Sequence, residues 1–453
     1  MWDTKADVLV VGAGAAGCIA AGVAAADPAL EVVVLEKDTG QPCNSTIASA
    51  FIPGAGSRFQ RAKGIADDPA ILAEDIWRKS KGRADKARAL TLARRSADAV
   101  HWLADVPGIP IEHAPEIEWF GHTRPRMHSH PIRSGIPIIA TLRAYLAAQP
   151  NVTFLDKVPA IDLLADGGIP IGVVARGERE RRIAARRIVL ACGGFGGNPE
   201  MVARYIPEMA TAWHIGGTTN TGEGIRWGLA LGAAVEHMGA YQGRDTIRED
   251  GTRVTPGVVT GGGIAIDVGG QRFVREDRDY SELAAVYRQQ PGGFVVLIWD
   301  AGIQHSVDAL HVMQEAKRNG GIDRFESLRA LAHHHGLSEN VLGATLDDYN
   351  RGVLARKDGL GRTELTRPLA PPYFTARVTG AIAHTQGGLK VDDRQRVLRQ
   401  DGRAIEPLYA VGNTAVGVSG SDAGGYMSGN GLMVAFSSGL IAGEDASATL
   451  APA

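Results

Sequence analysis

Cysteine is scarce in this chain. Cys18, Cys43 and Cys192 are its three cysteines in 453 residues, far apart and without a CxxC spacing. That argues against a secreted disulfide framework, a zinc site, an iron–sulfur cysteine set or a CxxCH haem attachment. Neither sign of charge is in excess. With 48 basic and 50 acidic residues the formal net charge is −2, which gives no electrostatic footprint for nucleic acid or an anionic membrane. Internal repeats and low-complexity linkers are missing too. Long apolar runs are nearly absent, the exception being residues 8–26. That run carries four glycines, follows Asp7 and lacks a basic flank or cleavage pattern, so it reads as a buried strand entering a buried helix, not a membrane span or signal. A cytoplasmic protein of two or three domains is expected, long enough to bury a core without staples.

Glycine is in surplus, with 58 residues against a usual share of about 7%. Backbone that must pass close to a ligand needs it. A short β-branched run, residues 6–11, meets Gly12-Ala13-Gly14-Ala15-Ala16-Gly17, and an Ala-rich helix follows to about Ala26. Residues 31–36 make a second strand, completing one βαβ unit. A GxGxxG placed between a strand and a helix is a dinucleotide fingerprint. Gly12 makes the tight turn, Gly14 lets backbone approach a pyrophosphate, and Gly17 allows close helix–strand packing. The helix N-terminus supplies amide donors and the positive end of its dipole. Glu36 stands 19 residues past Gly17, where a carboxylate accepts from a ribose.

Helical patterns over Pro69–Lys79, 83–103 and 136–148 precede strands over Val152–Leu155, 160–165, 172–176 and 181–192. The charged stretch 176–187 reads as a solvated hairpin. From 239 to 383 the character changes to glycine turns, short strands (264–267, 294–300) and polar helices (306–319, 327–335, 338–354), the pattern of an insertion. Strands at 389–391 and 408–411 and a closing helix over 431–445 follow. The expected organisation is a nucleotide-binding domain in two parts, 1–238 and 384–453, around a substrate domain, 239–383. Three segments favour FAD over NAD: Asn44-Ser45-Thr46 after the second strand, the glycine-rich end of a mid-chain strand at 190–197, and that of a late strand at 408–413, with glycines from Gly424 to Gly431 behind it. An isoalloxazine reaching three distant segments accounts for all of them.

In these motifs the chain resembles the fumarate reductase/succinate dehydrogenase flavoprotein superfamily, in its soluble branch, over nearly its whole length. Further marks are the ACGGFGGN segment (191–198), TTNTGEG (218–224), GQRFVRE (270–276) and HTQGGL (384–389). The resemblance implies an α/β fold, a Rossmann-like FAD-binding domain (ββα sandwich) interrupted by an α+β capping domain that closes over the substrate. It implies FAD held non-covalently. The candidate cofactor residues are Gly12, Gly14, Ala16, Gly17, Glu36, Lys37, Asn44, Ser45, Thr46, Ser49, Val158, Ala191, Gly193, Asn220, Asp300, Gly412, Asn413, Gly431 and Leu432. Two positions depart from the fumarate-reducing members. Their catalytic arginine lies four residues after the motif glutamate, here Glu276, where this chain has Tyr280. The arginine that clamps a substrate carboxylate before the C-terminal helix is replaced by Tyr426. A cap histidine appears as Arg244, and a substrate-binding histidine is retained as His384. The paired tyrosines resemble the 3-ketosteroid Δ1-dehydrogenase branch, where one tyrosine takes a proton α to a ketone and another hydrogen-bonds its oxygen.

Desaturation beside a carbonyl needs a hydride acceptor at the β-carbon, the flavin N5, a base for the α-proton, and donors to the developing enolate. Tyr280 is the candidate base. A tyrosine ordinarily titrates near ~10, so it needs neighbouring charge or a relay, and Arg278, Arg272 and Arg244 are candidate sources of charge. Tyr426 is the candidate carbonyl donor, helped by the Gly429 or Gly431 amide. A surface-helix place for Tyr280 and flavin-side packing for Tyr426 are the plain alternatives. His384 either touches substrate or shapes the flavin environment. Arg244 and the cluster His122, Arg124, Arg126, His128, His130 either bind a substrate carboxylate or are solvated. Adjacent His333, His334 and His335 on a helix diverge, so no metal is expected. The expected reaction is FAD-dependent desaturation of a cyclic ketone or keto acid, electrons passing to O2, a quinone or a carrier protein. The alternatives are reduction of an activated C=C bond in an enoic acid, or an electron-transfer subunit.

Overall fold

The computed structural model describes residues 1–114 and 120–450. The chain divides into two units. The first is Met1–Ile206, Gly216–Gln242 and the residues from Ala383 onward; the second is Pro207–Ile215 and Gly243–Ile382. The chain leaves the first unit a second time at Gln242, inside the strand Tyr241–Ile247, four residues beyond the expected boundary, and returns to it at Ala383. The stretch 207–215, expected in the nucleotide domain, belongs to the second unit because Trp213 and His214 pair in parallel with Ala381 and Ile382.

In the first unit Thr4–Val11 pairs in parallel with Val32–Leu35 on one side and with Glu180–Leu190 on the other. Val32–Leu35 pairs onward with Val152–Leu155. Ala404–Ala410 joins the far side, Leu408 opposite Ile188, and Arg396–Leu398 closes that edge antiparallel. The hairpin Ala160–Asp166/Ile169–Arg176 pairs onto Glu180–Leu190. Val8 to Val11 and all of Val32–Leu35 are buried, since a parallel sheet is covered on both faces and its strands read as unbroken apolar runs. The helices Ala15–Ala24 and Asn430–Ala448 share one core with Val8, Val10, Val32 and Val34. They meet through small residues: a Cβ at Gly439 would strike the Ala16 carbonyl, and one at Gly443 would lie 2.7 Å from that of Ala20. Leu9, Val11, Val33 and Leu35 point the opposite way, as the two-residue period of a strand demands, into a second cluster with Ile188 and Leu408.

The second unit has its own core, built on Ile264–Ile266, Val295–Asp300 and the strand Tyr373–Thr385, paired antiparallel in that order. Neither Tyr373–Thr385 nor Tyr241–Ile247 stands out in the sequence. Each is interrupted by a glycine, which weakens a strand signal. Those glycines have a use: a Cβ at Gly243 would lie 2.5 Å from the Ser281 carbonyl, and one at Gly380 would strike that of Ala284, so the helix Tyr280–Arg288 lies close against both strands. The single helix expected over 306–319 is two, Ala301–Val307 and His311–Arg318. Asp308 between them accepts from Gln304 on its carboxylate (2.8 Å) and from Gln314 on its carbonyl (2.6 Å), side-chain bonds that compete with a continuous helix. Among the described residues no helix is long and apolar enough to cross a membrane.

Candidate active site

Gly12 turns the first strand into the first helix at φ +107°, a conformation that disfavours any side chain. A Cβ there would strike the Ala191 carbonyl, and one at Gly17 the Gly12 carbonyl. A Cβ at Gly14 would meet nothing nearer than Ser45 Oγ at 3.8 Å. Packing requires two of the three glycines; the third leaves open the approach to the helix N-terminus, beside buried Ala16. Ala13 N–H donates to Glu36 Oε2 (2.7 Å) and Ala15 N–H to Ser45 Oγ (3.2 Å). Arg143, on the helix Gly135–Ala147, donates to the Ala13 carbonyl at 3.0 Å and stands 3.9 Å from Glu36. Its charge adds to the positive field of the helix end. No spacing in the sequence points to Arg143; only folding brings it there.

Several expected cofactor residues are held by the chain itself. Asn44 Oδ1 accepts from Gly217 N–H (2.7 Å), the Thr46 hydroxyl caps its own short helix at Cys43, and the Ser49 carbonyl accepts from Ser129 (3.4 Å). Val158 N–H donates to the Glu36 carbonyl at 3.0 Å. Lys37 directs its ammonium to Glu223 (2.7 Å) and to the Thr219 carbonyl and Thr221 hydroxyl (3.2 Å each). That staple holds the loop whose Asn220 occupies the space a Cβ on Gly193 would fill, Gly193 itself sitting at φ +75°.

Later in the chain, Gly412 (φ +57°) turns the strand Ala404–Ala410 so that Asn413 meets His384. Asn413 Nδ2 and Gln386 Nε2 both donate to His384 Nδ1 at 3.0 Å. A nitrogen that accepts carries no proton, so the ring proton sits on Nε2. A Cβ at Gly431 would lie 3.1 Å from that Nε2, and the Tyr426 ring meets the imidazole edge-on at 5.5 Å. Leu432 packs beside them against the core. Folding thus gathers His384, Asn413, Gly431 and Tyr426, and adds Gln386 and Asn430, which the sequence reading did not single out. Both amide atoms of the fully buried Asn430 side chain lack a partner among the described residues. An open glycine at a helix N-terminus, amide donors beside an acidic residue, and an unpartnered buried amide some 400 residues later fit one long cofactor with a diphosphate and a polar ring.

In the second unit Tyr280 opens the helix Tyr280–Arg288, whose N-cap Asp279 accepts from Ser281 N–H at 2.7 Å. The Arg244 guanidinium lies 4.6 Å from the centre of the Tyr280 ring. The other two candidate cations are engaged elsewhere. Arg278 pairs with Glu282, and Arg272 with Glu276 (2.7 Å) and Asp358 (2.6 Å). Beside Arg244 on its strand is the buried Asp245. Burial pushes its carboxyl up to about 7 against the opposing charge of Arg244. Asp300, expected on the cofactor, instead caps the helix Ala301–Val307 through Ile303 N–H (3.0 Å) and pairs with Arg367 (2.7 Å). Both of its oxygens serve the second unit.

The segment 122–130 offers no cluster of cations to a substrate carboxylate. Arg126 is fully buried and binds Asp67 and Asp75, while Arg124 is exposed and bonds the Thr123 carbonyl at 2.9 Å. His128 is buried against Ser57 Oγ (2.7 Å), its pKa pulled down to about 3 by burial. His130 accepts from Ile132 N–H at 3.3 Å.

The chain matches the FAD binding domain family over residues 7–432. It is 29% identical to the probable fumarate reductase Ifc3 of Shewanella frigidimarina across 97% of this chain and 74% of that one. It is also 29% identical to the 3-oxosteroid 1-dehydrogenase of Mycobacterium tuberculosis, across 64% and 57%. Among solved structures it is similar to the open conformation of a flavocytochrome c3 fumarate reductase (TM-score 0.84, 27% identity, 99% of this chain and 79% of that one). A second is the 3-ketosteroid-delta4-(5alpha)-dehydrogenase from Rhodococcus jostii RHA1 in complex with 4-androstene-3,17-dione (0.81, 25%, 99% and 98%). With the fingerprint, its open glycine and this match over most of its length, the chain belongs to the FAD binding domain family, in the fumarate reductase/succinate dehydrogenase flavoprotein superfamily, and is an oxidoreductase whose cofactor is FAD.

Proposed function

We propose that this protein desaturates a ketone, cyclic or a keto acid, removing hydrogens from the carbons α and β to the carbonyl. The observation that carries the reading is the Arg244 guanidinium 4.6 Å from the centre of the Tyr280 ring. A cation over a phenol stabilises negative charge developing on its oxygen, which suits a base. When bound, FAD would supply the acceptor for the β-hydrogen and its two electrons, which O2, a quinone or a carrier protein would take in turn. Tyr280 takes the α-proton, the C–H pair left behind becomes the new C=C bond, and the Tyr426 hydroxyl donates to the carbonyl oxygen as enolate charge grows there. His384, its proton on Nε2, orients the Tyr426 ring.

A second reading, reduction of an activated C=C bond, draws support from the wider coverage of the fumarate reductase relatives. Against fumarate itself stand Tyr280 and Tyr426, at the two positions where the resemblance implies arginines in fumarate-reducing members. One anaerobic experiment separates the two. Cyclic ketones, 4-androstene-3,17-dione and keto acids are added to the FAD-loaded protein, and the visible flavin absorbance is followed. Bleaching by a ketone is expected. If no ketone bleaches the flavin, while fumarate or another enoic acid reoxidises dithionite-reduced protein, the desaturase reading falls and the reductase reading takes its place.

A further inference from the structure

His122 has a place in the fold that neither a substrate carboxylate nor solvent explains. Its Nε2 is 2.9 Å from the Ser428 carbonyl and its Nδ1 3.2 Å from Arg126 Nη1. Arginine has donors only, so Nδ1 accepts, the proton resides on Nε2, and Nε2–H donates to Ser428. Arg126 is held in turn. Its Nε and Nη2 donate to Asp67 at 2.9 and 3.0 Å and its Nη1 to Asp75 at 2.6 Å. Asp75 also accepts from the Thr123 N–H and hydroxyl, both at 2.9 Å. Two buried carboxylates therefore fix a buried guanidinium, which fixes the tautomer of one imidazole, which holds one backbone carbonyl. Ser428 lies in the turn between Tyr426 and the closing helix, just before Gly429, the helix cap at φ +83°. The same segment touches that turn again: a Cβ on Gly121 would come within 3.1 Å of Met427.

We propose that His122 is a positioning residue of the active site, anchoring the Ser428 carbonyl and so setting how the turn presents Tyr426 and the Gly429–Gly431 amides. This rests on reading Tyr426 as a substrate group. The anchor needs a neutral ring, because a proton on Nδ1 would face the Arg126 donor. Burial supplies it, pulling His122 down to about 4 although the Ser428 carbonyl favours the charged form. An anchored turn matters because a displacement of about 1 Å at reacting groups costs about a hundredfold in rate.

The test compares FAD-loaded wild type with His122→Ala and His122→Gln, whose amide N–H can reach the same carbonyl. Turnover, KM, the midpoint potential of bound FAD and its visible circular dichroism are measured. In the alanine protein kcat falls ~10–100-fold with a smaller change in KM, and the flavin dichroism changes; in the glutamine protein most of both is restored. Should the alanine protein not fold, His122→Asn, one methylene too short, takes its place. A purely structural role predicts equal loss of thermal stability in both variants with kcat per folded molecule and the flavin signals unchanged, and that result overturns the proposal. So does a glutamine protein no better than the alanine one. If wild type itself turns over no ketone, the desaturase reading has failed, and the flavin signals alone decide whether His122 positions the turn.

Discussion

Tyr280 and Arg244 form a residue pair whose chemistry can be probed one side chain at a time. Removing the phenol hydroxyl leaves the ring beneath the guanidinium and takes away the proposed proton acceptor. For Tyr280→Phe we expect turnover to fall ~10²–10⁴-fold, the usual contribution of a positioned acid or base, at unchanged FAD stoichiometry. Steady-state rates per flavin check this, and a variant within threefold of wild type would remove Tyr280 from the chemistry. Asp245 gives a prediction of another kind. Its folded pKa, about 7, lies above the 3.8 of an unstrained carboxyl. Between those values the folded protein holds a proton that the unfolded chain has released, so stability falls as pH rises from about 4 to about 7 and is level above. Its Oδ1 has no hydrogen-bond partner among the described residues, which fits the cost of ionising it there. Asp245→Asn should therefore gain on the order of 2–4 kcal/mol over wild type at about pH 8.5 relative to about pH 5. Denaturant melts at both pH values measure it; an equal difference at the two would refute the assignment.

At the scale of elements, the helix Tyr280–Arg288 is informative because its position depends on side chains that are missing elsewhere. Gly243 and Gly380 sit beneath it on separate strands, facing the Ser281 and Ala284 carbonyls. Backbone cannot move aside as a flexible side chain can. Gly380→Ala is expected to cost ~1–3 kcal/mol by overpacking and to lower kcat by displacing Tyr280. Thermal melts and turnover should change together, and a melt unchanged from wild type would show that the helix has slack. The same two glycines made their strands hard to read. Ala15–Ala24, by contrast, was legible: an apolar strand, spaced glycines and an alanine-rich run agree locally, and both neighbours of the fingerprint form as their patterns dictate. The split of the expected helix 306–319 turned on Asp308 side-chain bonds, which a hydrophobic period does not register.

For the molecule as a whole, two units with hydrophobic clusters of their own and a cofactor cradle proposed on residues of the first unit set a thermodynamic expectation. A ligand that binds only folded protein stabilises it by about 2.7 kcal/mol at a hundredfold excess over its Kd. For a unit of this size that raises its melting temperature by roughly 4 °C. Calorimetry with and without FAD tests this, and an unshifted transition would mean that the first unit is not where FAD binds. From the sequence alone came the α/β class, the fingerprint and the case for FAD, while its resemblance to a known superfamily added the expectation that two tyrosines stand at arginine positions. These are local patterns, in which spacing along the chain equals spacing in space. The tertiary structure decided what depends on residues far apart in sequence: that Arg143 reaches the glycine turn, that Asn413 and Gln386 set the tautomer of His384, that Arg244 and not Arg272 or Arg278 covers Tyr280, that Asp300 caps a helix, and that the histidine of residue 122 ends on a carbonyl some 300 residues away. No one-dimensional period encodes such contacts, because each is fixed by where two separately packed elements come to rest.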